Sequence, residues 1–333
     1  MPRATGAAPA KKAANPPPAA TPAPVEPEET VNSLFATLDD VVDHLNILLY
    51  GREGSGKSTG AARLANAFSH LPEGKGKILV INAEGGFKKR PMQRRGVDIS
   101  RIRIWPDPAK HERPTHSSLK KIARQMKSDL MEDPESWGGV VFDSATEGYQ
   151  AMLDFAQQKR VASVKRTGKD VDEDFVDIAD YGTMSKMFRD VLRELRDLPC
   201  HFVVTALERR TVDKDTGKPT YGPDVTPALQ SDLLGYVDMV LMCKSEDEDG
   251  PFRALTRANG RYRAKDRFDV LPKVLVDPFA DRIIKYVVGE YDMDEGNDPE
   301  QARLPAAKVA AKPKNEKEDD DNGDEVNPDE TQD

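Results

Sequence analysis

The sequence has few cysteines, few aromatic residues and no long apolar run. Its two cysteines, Cys200 and Cys243, lie far apart in apolar, strand-like segments, which favours buried reduced thiols over a disulfide or a metal site. No apolar stretch approaches the roughly 18 residues that a membrane-spanning helix requires. The N-terminal residues also lack the apolar centre of a signal peptide. We therefore expect a cytoplasmic protein with no membrane partner.

Charge and hydrophobicity are distributed unevenly along the chain. Hydrophobic residues make up 38% and charged residues 32% of the sequence, a balance that predicts disordered segments beside a folded core. Residues 1–30 are rich in alanine and proline, and residues 291–333 carry a net charge of −10, whereas residues 31–290 carry +1. We predict a disordered N-terminal segment over 1–30, a folded core over 31–290 and a disordered acidic tail over 291–333.

A phosphate-binding motif stands between an apolar, strand-like run and a segment with helical spacing of apolar residues. It fits the pattern G-x-x-x-x-G-K-[ST], in which backbone N–H groups and a helix N-terminus surround phosphate. Lys57 is expected to reach the β- and γ-phosphates of ATP, and the Ser58 hydroxyl is expected to bind Mg²⁺. The predicted nucleotide-binding residues are Gly51, Arg52, Glu53, Gly54, Ser55, Gly56, Lys57, Ser58 and Thr59.

Two carboxylates follow apolar strands further along the chain. Glu84 comes shortly after the run 76–82, and Asp143 ends the run 139–143. Open α/β sheets bind ligands at the carboxyl ends of their strands. Asp143, downstream of the phosphate-binding motif, is therefore predicted to hold Mg²⁺. From position alone, Glu84 is either a base that orients the attacking water or an exposed turn residue.

Two polar segments are predicted to be long loops, over residues 160–180 and 209–227. Loops of this length are usually functional or disordered. Basic and aromatic side chains together can bind phosphates and stack on bases, although a solvated loop explains the composition equally well. Beyond them, residues 283–288 are predicted to form a last strand. The candidate DNA-binding residues in the two loops are Arg160, Lys165, Arg166, Lys169, Arg209, Arg210, Lys214, Lys218 and Tyr221.

The order of these motifs resembles that of the RecA/RadA superfamily of recombination ATPases. It is more closely similar to phage AAA-type proteins with a RecA core that act as single-strand annealing recombinases. Besides the phosphate-binding motif, Ile81–Glu84 resembles the strand that ends in the family's catalytic glutamate, and Val140–Ser144 resembles its Walker B strand. Lys265–Phe268 resembles the Lys-Asn-Arg-Phe-Gly motif of RadA and the DnaB-type helicases. The resemblance covers roughly residues 45–288.

This resemblance implies an α/β fold, a RecA-like P-loop ATPase core with a mostly parallel twisted sheet flanked by helices. It implies that Glu84 is the catalytic base, and that Lys265 and Arg267 reach the γ-phosphate of ATP held by a neighbouring subunit. The protein would then form a homo-oligomer, as a ring or a filament. Where RecA carries a glutamine that senses the γ-phosphate, this chain offers Thr205 or Glu208.

The function that follows is that of an ATP- and Mg²⁺-dependent ATPase of DNA recombination and repair, which binds single-stranded DNA and promotes annealing or strand exchange. Its location would be the host cytoplasm if a phage encodes it. The acidic tail would compete with DNA or bind a DNA-processing protein. The alternatives are a nucleotide-gated assembly or loading factor, a DnaB-like helicase motor and, with least support, a small-molecule kinase.

Overall fold

The computed structural model describes residues 41–110, 112–214, 216–245, 252–277 and 279–299. This part of the chain contains ten strands and seven α-helices. The strands are β1 (Asn46–Gly51), β2 (Lys77–Asn82), β3 (Ile102–Trp105), β4 (Trp137–Asp143), β5 (His201–Val212), β6 (Pro219–Pro223), β7 (Met239–Ser245), β8 (Phe252–Leu255), β9 (Lys265–Asp266) and β10 (Val274–Val276). The helices are α1 (Lys57–Ala67), α2 (Lys89–Arg94), α3 (His116–Glu132), α4 (Ala145–Arg166), α5 (Ile178–Arg196), α6 (Pro227–Tyr236) and α7 (Phe279–Val287).

The strands form one sheet in the order β10-β8-β7-β1-β5-β4-β2-β3. The six strands from β7 to β3 in this order run parallel to one another. The strands β8 and β10 add antiparallel pairs at one side, β6 folds back on β5, and β9 pairs with β7. Parallel strands end at a common edge, so the carboxyl ends of β1, β2, β4 and β5 meet where the candidate site residues stand.

Helices cover both faces of the sheet, which explains why the central strands are apolar at nearly every position. In β1, Leu48 and Tyr50 belong to the core shared with α3, α4, α5 and α6. The alternate residues Ile47 and Leu49 belong to the opposite core, shared with α1 and α7. Among the described helices, none is both long enough and apolar enough to cross a membrane. The predicted fold class, a P-loop α/β core with a mostly parallel sheet between helices, is confirmed.

The predicted last strand over residues 283–288 is wrong. Residues 283–287 belong to α7, which packs on α1 and buries Phe279, Ile283 and Ile284. Those positions follow helical spacing, but a short apolar run does not by itself distinguish a helix from a buried strand.

About half of each predicted long loop is regular structure. Helix α4 continues to Arg166, and α5 begins at Ile178, so only residues 167–177 connect them. Gly168, with φ +72°, follows the end of α4 and terminates the helix in a left-handed conformation. The second segment is a hairpin of β5 and β6 followed by the start of α6.

The proposed boundary of the acidic tail falls too early. The described chain continues to residue 299, and Asp298 is buried with the guanidinium of Arg282 and the hydroxyl of Tyr286 as partners. Because these contacts attach residues beyond 290 to α7, the folded core extends past that position. The predicted disorder of residues 1–30 and 300–333 lies outside the described residues.

Candidate nucleotide-binding site

The phosphate-binding motif occupies the turn between β1 and α1. Gly54 and Gly56 have φ of +73° and +82°, a region that glycine adopts without strain. A Cβ atom at Gly51 would stand 2.1 Å from the carbonyl oxygen of Cys243, so only glycine lets β1 approach β7 here. The loop therefore turns tightly and leads directly into the N-terminus of α1, where phosphate is favoured.

Lys57 is buried and folds back on the loop. Its Nζ donates hydrogen bonds to the carbonyl oxygens of Gly51, at 3.0 Å, and Arg52, at 2.7 Å. Burial lowers the pKa of the ammonium group, while the nearby carboxylates of Glu84 and Asp143 oppose that shift. A phosphate chain in the loop would give this buried charge the anionic partner that the carbonyl groups replace only in part.

Asp143 stands beside Ser58 and Thr205, as the register of the sheet requires. Phe142 lies opposite Val204 in the parallel pairing of β4 with β5, so the following residues, Asp143 and Thr205, are neighbours. The Thr205 hydroxyl donates to Asp143 Oδ1, and Ser58 Oγ lies 3.2 Å from the same oxygen. Burial raises the pKa of the Asp143 carboxyl, and the hydrogen bond from Thr205 opposes the rise.

These residues are suited to bind Mg²⁺ together with nucleotide phosphates. Among the described atoms, Asp143 Oδ2 is buried and has no hydrogen-bond partner. A Cβ atom at Gly86 would stand 3.3 Å from both Asp143 Oδ2 and Ser58 Oγ, so glycine keeps this space open. The described chain contains no cluster of three or more His, Cys, Asp or Glu residues able to hold a metal ion. Ser58 and Asp143 would therefore hold Mg²⁺ with phosphate oxygens and water, and the ion would neutralise phosphate charge.

Glu84 follows β2 and faces the same cleft. Its backbone N–H donates to the carbonyl oxygen of Asp143 at 3.0 Å, which fixes the position of the turn. The exposed side chain lines a cavity of about 270 Å³ together with Lys57, Ser58 and Thr59. A carboxylate at this place can orient a water toward the γ-phosphate, so the role as catalytic base stays a prediction that the geometry permits.

The end of β5 contacts the phosphate-binding loop through a second pair. Gly51 lies opposite Leu207, and the next residues, Arg52 and Glu208, form an ion pair with Nε 3.3 Å from Oε1. The Glu208 side chain is only 8% exposed. Thr205 therefore contacts Asp143, the carboxylate predicted to hold Mg²⁺, while Glu208 contacts the loop, so both sensor candidates lie beside the phosphate-binding motif.

Lys265 and Arg267 lie at the opposite end of the sheet from this site. Lys265 pairs with Val240, near the beginning of β7, and its Nζ donates to the carbonyl oxygen of Leu234 at 2.7 Å. Arg267 is exposed, and its guanidinium lies 2.7 Å from Asp238. Neither residue approaches the phosphate-binding loop of its own chain. The predicted role toward a neighbouring subunit stays a prediction.

The first group of candidate DNA-binding residues lies on α4 and the turn that follows it. Arg160 is about 22 Å along the helix from Ala145, and its guanidinium bonds to the buried Asp180 at 2.8 Å. This ion pair joins α4 to the beginning of α5. Lys165 pairs with Glu173. The predicted loop over residues 160–180 is wrong for its first part, since Arg160, Lys165 and Arg166 lie on α4. Two of the four basic residues are paired within the chain. The other two, which are exposed, are Arg166 and Lys169.

The second group lies on the hairpin of β5 and β6. We call residues 209–223 the basic hairpin; its exposed basic residues are Arg209, Arg210, Lys214 and Lys218. Tyr221 is buried at the base of the hairpin, with its ring stacked on that of Tyr262 at 5.0 Å between centroids. Its ring is covered in this way, and the role of Tyr221 in stacking on DNA bases stays a prediction.

Several residues at the site were missed from the sequence. Phe252 and Arg95 line the phosphate cavity beside Gly56. Thr146 accepts a hydrogen bond from the N–H of Leu207 at 3.0 Å and donates to the carbonyl oxygen of Asp224 at 3.0 Å. In the sequence, only the position of Thr146, three residues after Asp143, could have indicated that it contacts the end of β5. No neighbouring residues indicated a role for Phe252, because it lies 196 positions after Gly56 in the sequence.

Comparison with known proteins gives one family. Residues 43–268, about two thirds of the chain, match the model of a family described as the AAA domain. No curated protein matches the sequence. Among solved structures, a KaiC-like protein from the hyperthermophilic archaeon Pyrococcus horikoshii OT3 is similar, with 14% identity, coverage of 70% of this chain and 90% of that chain, and a TM-score of 0.36.

Proposed function

This chain belongs to the AAA domain family, and we propose that its ATPase acts on single-stranded DNA in recombination and repair, promoting annealing or strand exchange. The observation that carries this proposal is the continuity of β5. This strand contacts Asp143 through Thr205 and Arg52 through Glu208, and it continues without interruption into the basic hairpin. A change in the nucleotide site would therefore reach the hairpin through one rigid strand.

The basic hairpin supplies charge suited to a nucleic-acid backbone. Arg210, Lys214 and Lys218 are exposed, and Arg209 is 45% exposed with Asp224 as its neighbour at 3.8 Å. Lysine and arginine side chains of this kind neutralise phosphates and read little sequence. We propose that they hold single-stranded DNA, and that the acidic tail competes with DNA for them or binds a DNA-processing protein.

We further propose that the active form is a homo-oligomer in which Lys265 and Arg267 reach the nucleotide of the next subunit. Their distance from the site of their own chain supports this role. We propose Glu84 as the residue that orients the attacking water, because it faces the cleft between Lys57 and Ser58. Hydrolysis at the wild-type rate by Glu84→Gln would contradict that role.

The DNA part of the proposal is tested by comparing two triple variants. One changes Arg210, Lys214 and Lys218 to glutamine; its control changes the exposed Lys121, Arg124 and Lys127 of α3 to glutamine. Fluorescence anisotropy of a labelled single-stranded oligonucleotide at several salt concentrations gives affinity and salt slope. We expect the hairpin variant to bind at least tenfold more weakly, with a log–log salt slope shallower by roughly 2, and the control to bind like wild type. Equal behaviour of the two variants would contradict the proposal.

A second candidate is a nucleotide-gated assembly or loading factor with little action on DNA. The pairing of Arg160 with the buried Asp180 favours it, because it engages one of the basic residues expected to hold DNA in joining α4 to α5. ATP-dependent assembly in sedimentation experiments, combined with no measurable oligonucleotide binding, would select this candidate.

A further inference from the structure

A groove continues from the phosphate cavity between α1 and the beginning of α7. The phosphate cavity of about 270 Å³ adjoins a second cavity of about 190 Å³. Both are lined by Gly56, Thr59, Arg95 and Phe252. The first also contains Lys57, Ser58 and Glu84, whereas the second ends at Arg63, Asp277 and Phe279. The groove therefore begins at the phosphate-binding residues and leads away from them past Thr59.

An aromatic ring and a guanidinium flank the middle of this groove. A Cβ atom at Gly56 would lie 3.0, 3.2 and 3.3 Å from three atoms of the Phe252 ring, so the ring lies directly against the phosphate-binding loop. The Arg95 guanidinium lies over the same ring, 5.1 Å from its centroid. Arg95 is exposed and Phe252 is buried. The exposed Arg95 side chain can therefore move away from the Phe252 ring, which burial holds in place.

The far end of the groove is polar. Arg63 lies 3.6 Å from Asp277 and 2.6 Å from Asp281, which holds its guanidinium at the groove wall. Burial raises the pKa of Asp277, and Arg63 opposes the rise. The guanidinium of Arg63 supplies hydrogen-bond donors and the carboxylate of Asp277 supplies an acceptor beyond the aromatic ring. A sugar or the edge of a base in the groove would contact them.

We propose that this groove binds the nucleoside of the bound nucleotide, with the base stacked between Phe252 and the guanidinium of Arg95. Phosphates in the loop leave the remainder of a nucleotide to extend past Thr59, and the groove lies in that direction. A planar base is attracted to an aromatic face, and guanidinium groups stack on π systems. On binding, Arg95 leaves the Phe252 ring and covers the outer face of the base.

This inference rests on the nucleotide binding of the proposed function and does not depend on its DNA part. A nucleoside subsite and simple packing of Arg95 on Phe252 differ in their effect on ligand affinity. A nucleoside subsite contributes to the affinity for ATP and contributes nothing to the affinity for inorganic tripolyphosphate, which carries the same phosphate chain without base or sugar.

The test is isothermal titration of the full chain with Mg·ATP and with Mg·tripolyphosphate. The variants are Arg95→Ala and Phe252→Leu, the matched control is the neighbouring exposed Arg94→Ala, and Lys57→Ala reports on the phosphate loop. We expect ATP affinity to fall roughly three- to thirtyfold for Arg95→Ala and roughly five- to a hundredfold for Phe252→Leu. Tripolyphosphate affinity should stay within twofold of wild type, and Arg94→Ala should bind both ligands like wild type.

Equal losses for ATP and tripolyphosphate, or ATP affinity within twofold of wild type for Arg95→Ala, would overturn the subsite. Arg95 is exposed, so its variant is expected to fold even if Phe252→Leu does not, and thermal unfolding checks both. If Lys57→Ala retained wild-type affinity for both ligands, the proposed nucleotide site itself would be wrong. That outcome is distinct from failure of the subsite alone.

Discussion

Arg52 of the phosphate-binding loop and Glu208 of β5 form an ion pair, Nε to Oε1 at 3.3 Å. The pair follows from the strand register, because Gly51 and Leu207, the residues just before them, lie opposite each other. The Arg52 side chain is 75% exposed, so the pair adds little to stability. Its importance lies in joining the phosphate loop to the strand that carries the basic hairpin.

We expect Glu208→Gln to weaken the link between nucleotide and DNA. In wild type, the affinity for a single-stranded oligonucleotide should differ at least fivefold with and without a non-hydrolysable ATP analogue. In the variant this ratio should approach one, because Arg52 no longer pairs with a carboxylate when the loop changes. Fluorescence anisotropy measures both affinities. An unchanged ratio would mean that the coupling passes through Thr205 alone or does not exist.

Gly86→Ala should weaken Mg²⁺-dependent nucleotide binding by roughly tenfold or more. The new methyl group would stand 3.3 Å from Asp143 Oδ2 and Ser58 Oγ, in the space that a metal ion and its waters need. Titration with ATP in the presence of Mg²⁺ or EDTA separates the metal-dependent part of the affinity. Gly182→Ala, on the open face of α5, is the control and should bind like wild type.

If Arg267 acts on the neighbouring subunit, two inactive variants should restore hydrolysis when they are mixed. Lys57→Ala lacks a working phosphate loop but keeps Arg267, whereas Arg267→Ala keeps the loop. An interface between the two kinds of subunit then contains a complete site. Turnover in the mixture above the sum of the separate proteins is the expected result. No gain, despite mixed oligomers in native mass spectrometry, would mean that Arg267 is structural.

The free energy of unfolding should decrease as the pH is lowered, because of His201. This residue is fully buried, its Nδ1 accepts a hydrogen bond from the N–H of Leu45, and burial lowers its pKa to about 3 from 6.5. Between these values the unfolded chain binds the proton and the folded chain does not. Each unit by which the pH decreases in that window therefore lowers the free energy of unfolding by up to about 1.4 kcal/mol.

Urea unfolding between pH 7 and pH 4 tests this, with His201→Gln compared with the exposed His70→Gln. The glutamine side chain at position 201 can still accept from Leu45. We expect a shallower pH dependence for His201→Gln and the wild-type dependence for His70→Gln. The same slope in all three proteins would show that other groups control acid stability.

Local patterns predicted the phosphate-binding loop, the strand that ends at Asp143 and the placement of Glu84. Each of these depends on residues adjacent in sequence and on the rule that parallel strands end together. The secondary structure and contacts were predicted wrongly or missed where they depend on residues distant in the sequence or on where a helix ends. The basic residues after Arg160 continue a helix until Gly168 ends it, since charged residues form exposed helical turns as readily as loops. The contact of Phe252 with Gly56 joins distant segments, and no local pattern encodes it.

The central claim is that nucleotide turnover responds to single-stranded DNA through the basic hairpin. The most direct measurement is the rate of ATP hydrolysis with and without a single-stranded oligonucleotide at two salt concentrations. It is made on wild type and on the variant with Arg210, Lys214 and Lys218 changed to glutamine. We predict stimulation of wild type that weakens at high salt, and basal hydrolysis without stimulation in the variant. Equal stimulation of both proteins, or none in wild type at either salt concentration, would contradict the claim.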